Sequence, residues 1–74
     1  MIQVNGAEQL KGGLVMYRIL VVDDEAKIRL LIRKYAEFEG HEVTEAENGM
    51  EAVRLFRRTP DAFDIVIMDV MMPE

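Results

Sequence analysis

The stretch "ILVVDDE" at residues 19–25 joins four apolar residues to three consecutive acids. Its apolar half, Ile19 to Val22, is typical of a strand that is buried on both faces of a sheet. Its acidic half needs water or a cation, because adjacent carboxylates repel one another. The switch from apolar to acidic residues predicts a buried strand with acids at its carboxyl end, where Asp23 or Asp24 can cap a following helix.

The composition of the 74-residue chain favours one small globular domain, since 50% of the residues are hydrophobic and 31% are charged. The absence of cysteine excludes a disulfide framework and a Cys-ligated zinc site. The net charge of −5 and the lack of a basic stripe argue against direct binding of nucleic acid. No apolar run approaches the roughly 20 residues that span a bilayer, so we expect a soluble, cytoplasmic protein.

A helix and a second strand are predicted after the acids. Apolar residues at helical spacing fall on one side of the helix: Ile28, Leu31, Ile32, Tyr35 and Phe38. Gly40 suits the position after a helix end, because glycine readily adopts the left-handed conformation found there. The weak alternation of "HEVTEA" at 41–46 predicts the second strand, and its histidine, His41, is interpreted as a surface residue.

The alternation of helix and strand continues to the end of the chain. A second helix is predicted from about Met50 to Arg58, because Pro60 disfavours helix at the residue before it. Its apolar face contains Ala52, Val53, Leu55 and Phe56. A third buried strand, Ile65 to Met68, follows and leads directly into Asp69. The order β-α-β-α-β with short connections predicts an α/β fold with a parallel sheet.

The N-terminal segment, residues 1–16, shows little pattern and contains the turn signals "NG" and "GG". We interpret it as a flexible extension, added by an early start codon or a cloning vector, with Met16 as a candidate natural start. The predicted domain is therefore 17–74. The alternative is that Ile2 to Val4, or Leu14 to Met16, packs on an exposed part of the fold.

Two buried strands of this pattern end in acids. Val22 runs into Asp23 and Asp24, and Met68 runs into Asp69. If the strands are parallel neighbours, these carboxylates emerge at the same end of the sheet. Mg²⁺ would neutralise them, and Asp69 would be the nucleophile in metal-assisted phosphoryl chemistry. The simpler interpretation, that Asp24 is a helix cap and Asp69 a solvated loop acid, explains either acid alone but not the combination.

The sequence resembles the receiver domain of two-component response regulators over residues 17–74. The resemblance rests on four stretches in order: "ILVVDDE", "EAENG", "PDAFDIVIMD" and "DVMMP" at 69–73, the last fitting the D-x-x-M-P pattern of the family. It implies a truncated flavodoxin-like fold that contains the first three strands and two helices of a five-stranded parallel sheet.

The resemblance also implies residue roles. Asp69 would accept a phosphoryl group from a phosphohistidine of a sensor histidine kinase, with Mg²⁺ as cofactor. Asp24 would bind the metal directly, Asp23 through water, and Met71 through its backbone carbonyl, while Pro73 would shape the loop. The chain would then be a signalling module and not an enzyme.

Parts of the family pattern are absent from this sequence. Receivers also use a Ser or Thr after the fourth strand and a Lys after the fifth, so we expect weak Mg²⁺ binding and poor or undetectable phosphorylation. The ending after "MMPE" suggests a piece of a longer protein. Ile65 to Met68 would become an exposed apolar edge, which predicts self-association as a dimer or larger homo-oligomer.

Two other functions remain as alternatives. A Mg²⁺-dependent phosphohydrolase with an aspartate nucleophile would resemble this pattern, but such enzymes have D-x-D, whereas Asp23 and Asp24 are adjacent. The other alternative is a fragment without activity that only assembles.

Overall fold

In a computed structural model, the described residues, 2–4 and 15–68, form a four-stranded sheet with two helices. The strands are β1 (Ile2–Val4), β2 (Arg18–Val22), β3 (Glu42–Ala46) and β4 (Ile65–Met68), and the helices are α1 (Ala26–Phe38) and α2 (Gly49–Arg58). The strand order is β1-β4-β2-β3, and β2 pairs in parallel with both β3 and β4. The predicted α/β fold with a parallel sheet is therefore confirmed. Neither helix of these described ranges is long and apolar enough to cross a membrane.

Strand β2 forms the centre of the core because its side chains are buried on both faces of the sheet. Leu20 and Val22 pack with Ala52 of α2 on one face, whereas Ile19 and Val21 face α1 on the other. Leu20 and Val21 are 0% exposed. Successive side chains of a strand point to opposite faces, so the continuous apolar run is the pattern that two covering helices require.

Helix α1 packs through a narrower stripe than its apolar residues suggest. Ile32 and Ala36 contact the buried cluster of the sheet. In contrast, Leu31, Tyr35 and Phe38 are 52%, 68% and 86% exposed. The reason is geometric: α1 contacts β2 and β3, and a helix covers a sheet only with the side that faces it. The spacing located the apolar side correctly but not the part of it that is buried.

The helix ends follow local chemistry. The side chain of Asn48 caps α2 by accepting a hydrogen bond from the backbone N–H of Glu51 at 2.9 Å. Gly40 has φ of +91°, which confirms the left-handed residue predicted after α1. The predicted cap of α1 differs, because its N-cap residue is Glu25, whose side chain makes no capping hydrogen bond.

The N-terminal strand corrects the expectation of an exposed apolar edge at the third predicted strand. β1 pairs antiparallel with β4, with Ile2 opposite Ile67 and Val4 opposite Ile65. The pairing corresponds to the alternative in which Ile2 to Val4 packs on the fold. The free β4 edge, on which the prediction of self-association depended, is therefore occupied by this chain's own strand.

Two contacts join the elements at the amino end of the parallel strands. Asp64 accepts the backbone N–H of Arg18 at 2.8 Å and forms an ion pair with its guanidinium at 3.3 Å. The Nδ1 of His41 accepts the backbone N–H of Tyr17 at 3.1 Å. His41 is thus a partly buried hydrogen-bond acceptor and not a simple surface residue, which corrects its interpretation from sequence.

Candidate metal centre at the carboxyl end of the sheet

Three acids converge where β2 leaves the core. Carboxylate oxygens of Asp23, Asp24 and Glu25 lie within 4.8 Å of one another. Asp23 is 6% exposed, whereas the other two side chains are exposed to solvent. One partly sequestered and two solvated carboxylates therefore face the same small volume.

The backbone and side chain of Asp23 are both held in place. Its N–H donates to the carbonyl of Ala46 at 3.1 Å, which extends the pairing of β2 with β3 by one residue. Its carbonyl accepts a hydrogen bond from Nη1 of Arg29 at 2.7 Å. Its Oδ1 accepts the backbone N–H of Glu25 at 2.8 Å. This last contact explains why an acid is buried here: the desolvated carboxylate is compensated by a hydrogen bond.

Arg29 also connects the acidic cluster to strand β3. Its Nε donates to Glu45 at 2.9 Å, and Arg33 donates to the other oxygen of the same carboxylate at 2.6 Å. The hydrogen bond from Arg29, followed by that from Arg33, lowers the pKa of Glu45 despite the opposing effect of burial. Glu45 thus anchors the arginine that holds the carbonyl of Asp23.

Sequence reasoning missed two residues at this site. Glu25 belongs to the converging acids, and its adjacency to Asp24 was the available signal. Arg29 supports Asp23, but it lies six residues later in the sequence, inside α1, and its partner Glu45 is on β3. Sequence spacing did not indicate that contact, because it depends on how α1 lies across β3.

The acidic cluster fits a hard divalent cation by its donor chemistry. Mg²⁺ prefers oxygen ligands at about 2.1 Å, so two ligands on opposite sides of one ion are roughly 4.2 Å apart. The carboxylate oxygens of the cluster lie within 4.8 Å of one another, which is close to that span. Two exposed carboxylates also leave the water access that Mg²⁺ normally retains.

The remaining predicted site residues, Asp69 and Met71, and also Pro73, lie outside the described residues. The structure does describe the strand that leads to them. Met68 of β4 is in register with Val22 of β2, and the two strands are parallel. The carboxyl end of β4 therefore lies beside the point where the acids follow Val22.

Comparison with known proteins agrees with this arrangement. The family model for the response regulator receiver domain matches residues 19–74. The chain belongs to the response regulator receiver family. Receivers are signalling modules that generally bind Mg²⁺ through a cluster of acids, and this receiver has such a cluster in Asp23, Asp24 and Glu25.

Individual relatives show how much of a regulator the receiver sequence covers. It is 48% identical over 56 residues to the transcriptional regulatory protein ResD of Bacillus subtilis, covering 76% of this chain and 22% of ResD. It is 41% identical over 59 residues to the response regulator SaeR of Staphylococcus aureus, covering 80% of this chain and 25% of SaeR. The chain thus spans about a quarter or less of these relatives.

A solved structure supports the same fold. The crystal structure of a response regulator receiver domain protein from Clostridium thermocellum superposes with a TM-score of 0.73 at 38% identity. The match covers 78% of this chain and 46% of the other. The three parallel strands and two helices therefore correspond to part of a flavodoxin-like receiver fold.

Proposed function

We propose that this receiver is a phosphoacceptor module of a two-component phosphorelay, in which Asp69 accepts a phosphoryl group from a sensor histidine kinase with Mg²⁺ bound nearby. The observation that carries the proposal is the convergence of Asp23, Asp24 and Glu25 at the carboxyl end of β2. The chemistry of that cluster suits a cation, and membership of the receiver family supplies the reaction class.

The strand register supports the choice of Asp69 as acceptor. Met68 lies opposite Val22, and each is followed in the sequence by an aspartate. Parallel strands bring residues that follow them to the same end of the sheet. In the proposed step, the P–N bond of a kinase phosphohistidine breaks and a P–O bond to an Asp69 carboxylate oxygen forms. No water enters this transfer, and the histidine nitrogen leaves with the electron pair of the broken bond.

The acids that follow β2 would bind the cation in different ways. We assign direct ligation to Asp24, because its carboxylate is exposed and has room to turn towards an ion. Asp23 would act through a bound water, since its Oδ1 already accepts the N–H of Glu25. The backbone carbonyl of Met71 would supply a further ligand. Bound Mg²⁺ would offset negative charge that gathers on the phosphoryl oxygens during transfer.

Arg29 would keep this site in shape by holding the carbonyl of Asp23, with Glu45 fixing the arginine in turn. It contacts the backbone and not the proposed cation, so its role is positioning. Such support matters because phosphoryl transfer depends on placement of charge more than on covalent help from the protein.

We further propose that the module is not an enzyme, does not bind nucleic acid directly and works in the cytoplasm. Adjacent Asp23 and Asp24 differ from the D-x-D spacing of aspartate-nucleophile phosphohydrolases. The net charge of −5 opposes contact with a phosphate backbone. Turnover of phosphate esters by the purified chain would favour the phosphohydrolase instead.

The metal part of the proposal is tested by titrating the full chain with Mg²⁺ under calorimetry, or with Mn²⁺ while observing paramagnetic broadening of backbone amides. We expect weak binding, with broadening centred on the amides of residues 23–25. Asp24→Asn should weaken it at least tenfold, because it removes the proposed direct ligand. Asp61→Asn, which changes an exposed acid outside the cluster, is the matched control. Equal affinities in all three proteins would refute the metal site.

The acceptor part is tested by incubating the chain with Mg²⁺ and acetyl phosphate and measuring intact mass. We expect a gain of one phosphoryl group at low yield, lost in Asp69→Asn and retained in Asp61→Asn. A gain that persists in Asp69→Asn would place the phosphoryl group elsewhere. No gain at all, with metal binding intact, would show that these 74 residues hold the cation but do not accept the phosphoryl group without the Ser or Thr and the Lys of the family pattern.

A further inference from the structure

The pairing of β2 with β4 joins two uniformly apolar runs. Ile19 lies opposite Ile65 and Val22 lies opposite Met68, and every residue between them is apolar. An alternation of polar and apolar residues normally specifies which residues of two strands lie side by side, that is, their register. Here a slip of two residues would keep each side chain on its own face and would still set apolar residues against apolar residues. The hydrophobic pattern therefore does not fix this register.

The other neighbour of β2 is marked along its length. In β3, Val43 and Ala46 are buried, whereas Glu45 forms ion pairs with two arginines of α1. A slip of β3 would move Glu45 away from both arginines. In contrast, the four residues of β4 are all apolar, so β4 has no polar marker within the strand.

A polar contact joins β2 and β4 at their amino ends. Arg18 and Asp64 each lie one residue before the opposed pair of Ile19 and Ile65. The backbone N–H of Asp64 donates to the carbonyl of Arg18 at 2.8 Å, and the backbone N–H of Arg18 donates to Oδ2 of Asp64 at 2.8 Å. The guanidinium Nε and Nη2 donate to Oδ2 and Oδ1 of the same carboxylate, each at 3.3 Å. All of these bonds connect the same two residues, so a slip of the strands would break every one of them.

The hydrogen bonds of this contact matter more than the ion pair alone. The two side chains are 44% and 29% exposed, and ion pairs at such exposure contribute little to stability. The backbone N–H of Arg18 donates to an ionised carboxylate, and charge-assisted bonds of this kind are short and strong. The hydrogen bonds from the side chain of Arg18, and then from its backbone, hold the pKa of Asp64 below its usual range. The ionised form of Asp64 is therefore the form that the contact favours.

Burial penalises a slip in either direction. A slip of two residues that moves β4 towards the carboxyl end of β2 would set Asp64 beside Leu20, which is 0% exposed. The opposite slip would set Arg18 beside Val66, which is 6% exposed. In both cases a charged side chain would lose its partner and enter an apolar layer, which costs free energy. The pair thus disfavours the alternative registers as well as stabilising the observed one.

The register at the amino ends determines the alignment at the carboxyl ends. Val22 lies four residues after Arg18, which is about 13 Å along a strand. Two parallel strands that are aligned at one end stay aligned at the other unless a bulge intervenes. A slip of two residues would move the end of β4 by about 7 Å relative to the acids that follow Val22. That displacement is several times the Mg–O distance of about 2.1 Å.

We propose that Arg18 and Asp64 are positioning residues that lock the register of β4 against β2, so that the two strands end side by side at the candidate metal centre. The pair lies at the opposite end of the sheet and touches neither the cation nor the phosphoryl group of the proposed function. Only the purpose of this alignment rests on that proposed function, because the lock itself concerns the register of two strands.

Cross-strand nuclear Overhauser effects in the metal-free full chain test the lock, because they report which backbone protons lie side by side. In the parent we expect an effect between Val22 and Met68 at the strand ends. Arg18→Leu with Asp64→Leu lengthens both apolar runs and removes the lock. In this double variant the effect between the strand ends should fall by at least about half, and effects displaced by two residues should appear. Asp61→Leu, which changes an exposed acid outside the strands, is the matched control and should keep the parent pattern.

Single variants separate register from stability. Asp64→Asn keeps an oxygen that can accept the N–H of Arg18, so it should keep the parent pattern, whereas Asp64→Leu should shift it. Val66→Ala removes buried methyl groups from β4 and lowers the free energy of unfolding without touching the lock. It should keep the parent register. A shift in Val66→Ala equal to that in Asp64→Leu would show that lost stability moves the strand, which would overturn the proposal.

The outcomes also separate the lock from the phosphoacceptor role. An unchanged effect between Val22 and Met68 in a folded double leucine variant would refute the lock. The register would then depend on packing such as that of Phe63 against Phe56, whose ring centroids lie 5.6 Å apart. If the double variant does not fold, the comparison of Asp64→Leu with Asp64→Asn decides. The measurements need neither Mg²⁺ nor a phosphodonor, so a chain that accepts no phosphoryl group but loses its register in the leucine variants supports the lock alone.

Discussion

The two sides of the parallel sheet, β3 and β4, differ in how their outer edges are protected. Among the described strands β3 is the last on its side, and it carries Glu42 and Glu45, the latter held by arginines of α1. β4 has only apolar residues and is covered by β1. The two outer sides of the parallel strands therefore differ: β3 carries charged side chains, whereas the backbone of β4 pairs with that of β1.

The two solutions have different physical costs. A charged edge needs no extra chain, because water solvates an exposed side chain such as that of Glu42 and any partner strand must displace that water. A covering strand satisfies backbone groups but must be ordered, and closing the loop that carries it costs entropy. The cost grows only slowly with loop length, so a long connection is tolerated.

The largest expected effect comes from the strand that both sides share. Leu20→Ala should lower the free energy of unfolding by about 3 kcal/mol, because Leu20 is fully buried at the centre of β2. Urea unfolding followed by circular dichroism measures this. Leu30→Ala, on the 48% exposed Leu30 of α1, should cost less than about 1 kcal/mol. If β3 and β4 depend on β2 equally, amides of both strands should lose hydrogen-exchange protection together. Retained protection in one strand only would break the comparison.

A smaller effect concerns acid, since a lowered carboxyl pKa lies on each side of the sheet. The side-chain hydrogen bond from Arg18, then its backbone N–H, lowers the pKa of Asp64 before β4. Arginines of α1 do the same for Glu45 of β3. For each carboxyl group the folded-state pKa lies below the unfolded-state pKa. The stabilisation is therefore complete above the ordinary pKa, which is 3.8 for Asp64 and 4.5 for Glu45, and it is lost as pH falls through the lowered pKa of the folded state.

Stability measured against pH therefore tests each side separately. Glu45→Gln should cost about 1 kcal/mol at neutral pH and make the loss of stability on acidification shallower. Asp64→Asn should also make it shallower, by less, because Asp64 faces one arginine and Glu45 faces two. Glu47→Gln, an exposed acid beyond β3, is the control. An acid profile that neither substitution alters would mean that these ion pairs do not stabilise the fold.

The smallest effect on stability is expected at the charged edge. Glu42→Val should change the free energy of unfolding by less than about 0.5 kcal/mol, because Glu42 is exposed. It should nevertheless increase self-association through β3, since the edge loses a charge. Glu39→Val, exposed after α1 and outside any strand, gives the same change in composition. Identical association of the two variants would show that charge does not protect β3.

Local pattern predicted the parts of the fold that depend on neighbours along the chain. The apolar runs Ile19 to Val22 and Ile65 to Met68 became buried-type strands, and Gly40 took the left-handed conformation. The position of Asp23 and Asp24 at the carboxyl end of β2 also followed from the sequence, whereas their convergence with Asp69 stays a prediction. What pattern did not supply was the contact of Arg29 with Glu45, because that pair depends on the packing angle of α1.

The edges show the same division between sequence and tertiary structure. The sequence by itself determined that β3 would alternate weakly, that β4 would be apolar, and that acids would follow the central strand, since side-chain chemistry and period are local properties. Only the tertiary structure decided that Ile2–Val4 covers β4. Three residues carry too little periodicity to mark a strand. Their pairing is stabilised by a partner more than sixty positions away, where an apolar edge offers unpaired backbone groups.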